Sequence, residues 1–203
     1  RRVEIEFESN PYIAISYHIP AVGHPDLYAL DVLSSLLSDG RTSRLYKSMI
    51  EDKRIAVMAH AYDEISKYPD TFTFLAAPRA PHTVAEVESA IYEEIEKLKN
   101  APPSDWELQK IKNQLEADFI RDLNSASGLA NEIGHFEVLS DWRYINTFLD
   151  KVAQVTAEDV MGVAMKYFTK NNRTVAILVK KENNTKMKET KENNRPEKST
   201  VTY

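Results

Sequence analysis

The run LLSDGRTSRLYKSMIEDKRIA, Leu36 to Ala56, compresses four events into a short span. It ends an apolar helix, turns on Gly40, restarts a second helix and enters a strand. Leu36 and Leu37 complete a face begun by Leu27, Leu30 and Leu33 at helical spacing. Pro25 suits the first position of that helix, because its missing N–H would be unpaired there anyway. Asp39-Gly40 stops it, with glycine free to take a left-handed cap. Thr42 or Ser43 is expected to cap the next helix, anchored by Leu45, Met49 and Ile50.

Upstream, RRVEIEFESN alternates Val3, Ile5 and Phe7 with charged residues, the pattern of a half-exposed strand. YIAISYHIP (12–20) is apolar on both faces and reads as a more central strand. Downstream, Ile55–Ile65 and Thr71–Ala77 are strands joined through SKYPD as a hairpin. Three helices then announce their starts with one device: Thr83 before Glu86, Ser104 before Glu107, and Thr156 before Asp159. Each pair has the spacing that satisfies two orphan amide donors reciprocally, although aspartate is the shorter partner. Val155 and Val160 add a hydrophobic staple to the third. Two shorter helices are predicted over Gly128–Leu139 and Arg143–Leu149, and a last strand over TVAILVK.

Two strands, two helices, two strands, several helices and one strand make an α+β pattern. The predicted architecture is a mostly antiparallel sheet covered on one face by helices. Residues 1–180 are expected to form one domain. Residues 181–203 carry almost no large apolar side chains and are expected to be a disordered polar tail. The chain opens inside a strand-like run and is expected to be a fragment of a longer polypeptide.

Of the 26 basic and 31 acidic residues, six and four lie in 181–203, so the body carries a balance of −7. Such a body repels nucleic acid. Its longest apolar runs fall far short of a membrane span. With no cysteine, disulfides and thiolate metal sites are excluded. The compartment stays open: a soluble protein, cytoplasmic or periplasmic if the source is bacterial.

The five histidines, His18, His24, His60, His82 and His135, do not form the helical zinc motif of two histidines four apart with a glutamate between, in either direction. His18 and His60 fall on different strands and are weighed as neighbours. Glu132 and His135 have the i, i+3 spacing of a di-iron bundle ligand pair, but no second copy exists. Glu93, Glu94 and Glu96 read as a solvated acidic stripe answered by Lys97 and Lys99. Asp63 and Glu64 receive no role. With five glycines in all, neither a nucleophile elbow nor a phosphate loop can be built. No catalytic, cofactor-binding or metal residue is assigned.

At Gly40 to Tyr46, Gly-x-x-Ser-Arg-Leu-Tyr, the sequence resembles the pitrilysin/insulinase family of zinc metallopeptidases, the mitochondrial processing peptidase group included. A second match is VTAEDVMGVAMKYFTKNNRTVAILV, Val155 to Val179, and the likeness covers nearly all of Tyr12 to Lys180. The resemblance implies a chamber of similar domains around an unfolded peptide, with zinc held by an N-terminal catalytic domain missing from this chain. It also implies an arginine and a tyrosine, seven residues apart, that bind substrate across the chamber. Those positions read Ile50 and Val57 here, and an aliphatic side chain offers no hydrogen bond to an oxyanion. The resemblance therefore implies a non-catalytic C-terminal domain of a zinc metalloendopeptidase subunit. Its partners would be the N-terminal catalytic domain of the same chain, a second subunit or second copy closing the chamber, and an unfolded peptide. Ser43, Arg44 and Tyr46 are then frame: a cap, an ion pair and a half-buried aromatic, with Arg44 or Tyr46 pinning the segment to the sheet. A proteolytically silent scaffold of the same fold is the alternative. A free-standing module that adds a peptide strand to the VEIEFE edge is a third.

Overall fold

A computed structural model describes residues 1–181. The predicted tail, apart from Lys181, lies outside the described residues. Five strands form one sheet in the order β1-β5-β2-β4-β3: β1 Arg2–Phe7, β2 Tyr12–Ile19, β3 Ala56–Asp63, β4 Asp70–Pro78 and β5 Arg173–Lys180. Only the β1–β5 pair is parallel. β2 is the central strand, as expected, but only one of its faces is buried, with Ser16 and His18 on the other, and β3–β4 is the hairpin expected around SKYPD. The architecture is α+β with helices on one face, as the pattern predicts.

Alternation sorts each strand. Ile13, Ile15, Tyr17 and Ile19 of β2, Phe72 and Phe74 of β4 and Val175 and Ile177 of β5 are buried against the helices. α1 (Asp26–Ser38) adds Leu27, Leu30, Leu33 and Leu37; α2 (Val84–Asn100) adds Val87, Ile91, Ile95 and Leu98. Each such side chain contributes roughly 1.5–3 kcal/mol relative to exposure. α6 (Ala157–Tyr167) delivers Phe168 to the centre, with ring centroids 4.9 Å from Tyr17, 4.9 Å from Phe72 and 5.3 Å from Phe74.

All three capping boxes close reciprocally, the aspartate one included: Thr156 N–H donates to Asp159 at 2.9 Å, and Asp159 N–H to Thr156 Oγ1 at 3.1 Å. α3 runs over Asp105–Leu123, α4 over Ala126–Leu139 and α5 over Tyr144–Gln154. α5 extends well past the predicted Leu149 and stops one residue before the Thr156 box.

The opening segment differs from its prediction in one respect. Gly40 does take the left-handed conformation (φ 72°), and Asp39 N–H still bonds Ser35 O at 2.9 Å. But residues Tyr46–Asp52 wind as a π-helix, and Ser43 does not cap it by accepting. Its buried hydroxyl instead donates to Gly40 O at 2.8 Å, closing the turn from within.

Candidate functional site

The opening segment packs its apolar residues Leu45 and Met49 into the core beside β3, but its Arg44 side chain is tied to a helix. Arg44 donates from Nε and Nη2 to the two carboxylate oxygens of Glu107, each at 3.1 Å. Glu107 is also the capping-box residue of α3, and its Oε2 accepts from Ser104 N–H and Oγ at 3.0 Å. Burial pushes this carboxyl up, but the Arg44 and Ser104 bonds outweigh that and hold it below its usual range. The expected pin of Arg44 to the sheet is thus corrected: a planar fork matches a carboxylate, and α3 presents one. Tyr46 is half-buried, as predicted.

The predicted polar candidates do not converge. His18 on β2 pairs with Thr71, while His60 on β3 pairs with Leu75. β4 separates the two, so they are not neighbours, and both are exposed. His24 lies before α1, His82 before α2 beside Glu86 at 3.1 Å, and His135 on α4 against Phe136. Glu132 and His135 sit on one exposed helix with no mutual bond among the described residues. Glu94 and Glu96 take the expected Lys97 and Lys99 at 2.6 and 2.7 Å, and Glu93 takes Lys53 just after the π-helical segment, but Glu94 is buried and so departs from the expected solvated stripe. Among the described residues no three His, Cys, Asp or Glu side chains stand together as a metal site, so these residues do not fit a zinc ion.

Ile50 is half-buried against the core, and Val57 stands 59% exposed. A β-bulge between Ala56 and Met58 turns Val57 out of the β3 ladder. Neither side chain offers a polar hydrogen to a substrate.

Two polar arrangements escaped the sequence reading. Asp26, at the start of α1, accepts from Lys166 Nζ at 2.5 Å and Tyr167 Oη at 2.6 Å. Desolvation pushes its carboxyl up, and these two donors more than offset that. The cluster walls a cleft of about 700 Å³ between α1, α5 and α6, also lined by Lys151, Glu158 and Gly162. Second, Asp31 of α1 and Asp63 at the end of β3 share one poorly solvated place. Burial, with Asp63 and Asp39 adding like charge, drives the Asp31 carboxyl well up. Burial pushes Asp63 up to about 6, and its Oδ2 is shut from solvent without a partner. A carboxylate on the apolar face of α1 was the available signal for Asp31. Tyr144 of α5, stacked on Tyr28 at 5.8 Å, is raised by burial and by these neighbours.

The face of the sheet away from the helices is uncovered. It carries Val3, Ile5 and Phe7 of β1, Tyr12 of β2, Leu75 of β4, Tyr62 of β3 and Leu178 of β5. Its apolar side chains lie beside Ser16, His18, Thr71 and His60, which share the same face. Among the described residues no helix is long and apolar enough to cross a membrane.

Comparison with known proteins gives this geometry a context. The model of a family described as the peptidase M16 inactive domain matches residues 1–115. The chain is 31% identical over 168 residues to the zinc protease PqqE of Helicobacter pylori, covering 82% of this chain and 38% of that protein. It spans 36–38% of the length of the curated relatives it matches. The crystal structure of a protease from Helicobacter pylori superposes with a TM-score of 0.82 at 29% identity, covering 88% of this chain and 43% of the other. A peptidase M16 inactive domain from Pseudomonas fluorescens shares the fold at a TM-score of 0.75 and 18% identity, covering 89% of this chain and 43% of the other.

Proposed function

Since this chain belongs to the family of peptidase M16 inactive domains, we propose that it is the non-catalytic C-terminal domain of a zinc-dependent metalloendopeptidase subunit. It forms part of the wall of a chamber that encloses an unfolded peptide. Zinc and the water it activates belong to an N-terminal catalytic domain of the same polypeptide. A second subunit or a second copy closes the chamber. In this reading no side chain of residues 1–181 touches the bond being cleaved.

The observation that carries the reading is the pair Ile50 and Val57. They stand where the family resemblance places a substrate-binding arginine and tyrosine, and both are aliphatic. The uncovered sheet face supports a wall function.

The test uses the full-length gene product with its partner and an unstructured fluorogenic peptide. Turnover that requires zinc and survives Ile50→Ala and Val57→Ala is expected, with none from the 203-residue chain alone. Tight zinc binding or turnover by the isolated chain overturns the proposal. A zinc-free full-length protein that cleaves nothing with its partner present favours a silent scaffold of the same fold.

A further inference from the structure

The two edges of the sheet are finished differently. β3, one edge, is interrupted by the bulge at Val57 and entered through Arg54 at φ 55°. Such irregularity protects an edge from pairing with another chain. β1, the other edge, has no such irregularity and is guarded only by the charges of Arg2, Glu4 and Glu6. It runs six residues without proline or bulge, and every residue in it is exposed.

Its free hydrogen-bonding groups can be identified. Val175 N–H bonds Arg1 O, and Lys181 N–H bonds Phe7 O, the two ends of a regular parallel ladder. In such a ladder alternate residues direct both backbone groups to the same neighbour. Val3, Ile5 and Phe7 therefore bond β5, while Arg2, Glu4 and Glu6 turn N–H and C=O outward, without a backbone partner among the described residues.

The side chains of β1 are equally sorted. Val3, Ile5 and Phe7, at 48%, 51% and 61% exposure, share the open face with Ala176 and Leu178. Arg2, Glu4 and Glu6 share the helix side with Val175 and Ile177. There Arg2 is held by Glu88 at 2.8 Å and stands 3.5 Å from Glu4. Among the described residues no cation stands within ion-pair distance of Glu6.

From this juxtaposition we infer that the outer edge of β1 takes an added strand from an extended polypeptide whose apolar residues alternate with Lys or Arg. Backbone bonds to Arg2, Glu4 and Glu6 supply the pairing. The apolar residues continue the open face beside Val3, Ile5 and Phe7, and the basic ones answer Glu4 and Glu6 across the strand pair. The inference rests on the proposed function only in taking an unfolded peptide as the partner. It names that peptide's chemistry and places the contact away from Ile50 and Val57.

The experiment is titration of the 203-residue chain with a labelled peptide of about eight residues alternating Val or Ile with Lys, read by amide shifts and anisotropy. Controls are a block-ordered peptide of the same composition and a Glu-for-Lys counterpart. Binding with shifts over residues 2–8, and about ten-fold weaker binding of both controls, is expected. Glu4→Pro removes an outward N–H and, with it, the Glu4 carboxylate that stands 3.5 Å from Arg2, while leaving the bonds to β5 in place, so it should abolish binding with the unfolding curve retained. Should that variant not fold, Glu4→Lys with Glu6→Lys decides, by switching preference to the acidic peptide. Equal binding of the block-ordered peptide, shifts confined to β3, or no binding up to about 1 mM overturns the inference. So does dimerisation through β1 that excludes the peptide. Hydrolysis is not measured here, so this result and the catalytic test fail independently.

Discussion

The sheet with α1, α2 and α6, and the arm formed by the outer part of α3, α4 and the start of α5, use the same raw material to different depths. Both are amphipathic and both contain aromatic clusters. In the first, eight α1 residues and six α2 residues are buried. In the arm, α4 buries Phe136 alone, and Ile120, Leu129, Ile133 and Val138 stay exposed. The family match ends at residue 115, inside α3, where the arm begins; α6 and β5 return to the core after it with Val160, Ala164, Phe168 and Val175 buried. Stability resides in the sheet layer, and the arm is held by a few rings: Tyr144 on Phe136 at 4.6 Å, and Phe148 on Phe119 at 5.0 Å.

The largest expected effect tests that contrast directly. Phe74→Ala should cost about 3–5 kcal/mol in urea unfolding, since the cavity opens between β4 and Phe168. Val138→Ala, at 74% exposure, should fall within about 0.5 kcal/mol of wild type. A comparable loss at both positions would erase the distinction between core and arm.

Next comes the acid pair where the two regions meet. Both folded carboxyls titrate above their unfolded value, so the folded state binds more protons between about pH 4 and 6. The contribution is complete below the unfolded pKa and is lost as pH rises through the folded one. From Asp63 alone the change is about 2–3 kcal/mol, smaller if the carboxyl relaxes toward water. Unfolding free energies at pH 4.5 and 7.5 should therefore differ in that direction, and Asp63→Asn should flatten the difference. A slope of the opposite sign would mean that the pair is solvated.

Caps give a smaller effect. Thr83→Ala removes a reciprocal box on a helix that underlies the sheet, and should cost about 1 kcal/mol. Ser125→Ala removes a one-sided cap in the arm and should cost less in global unfolding, with local fraying seen by amide exchange. Smallest is the Arg44–Glu107 coupling. A double-mutant cycle should return at most about 1 kcal/mol, because both groups remain partly solvated.

What could be read from the chain follows the same divide. The three boxes were legible because donor and acceptor lie within four residues, and all three formed. The one-sided burial of β2 was not, because the apolar content of YIAISYHIP read as a strand covered on both faces. The insertion of β5 between β1 and β2 was not, since it joins the two ends of the described chain. Nor was the π-helical register of Tyr46–Asp52, which places no signature in the sequence. Arg44 and Glu107 stand 63 positions apart, so nothing local could assign that fork. Asp63 was passed over because a charged residue at a strand end ordinarily faces water; its unsatisfied Oδ2 belongs to the packing of α1 upon it.

The shared use of Glu107 has a mechanical consequence. One carboxylate both starts α3 and clasps Arg44, so together with the burial of Leu108 and Ile111 it sets the angle at which α3 leaves the sheet layer. That helix of 19 residues is a lever about 28 Å long. A rotation of about 5° at the Arg44 clasp would swing its far end by about 2.5 Å, enough to shift Ile120 and the helices beyond it as a unit.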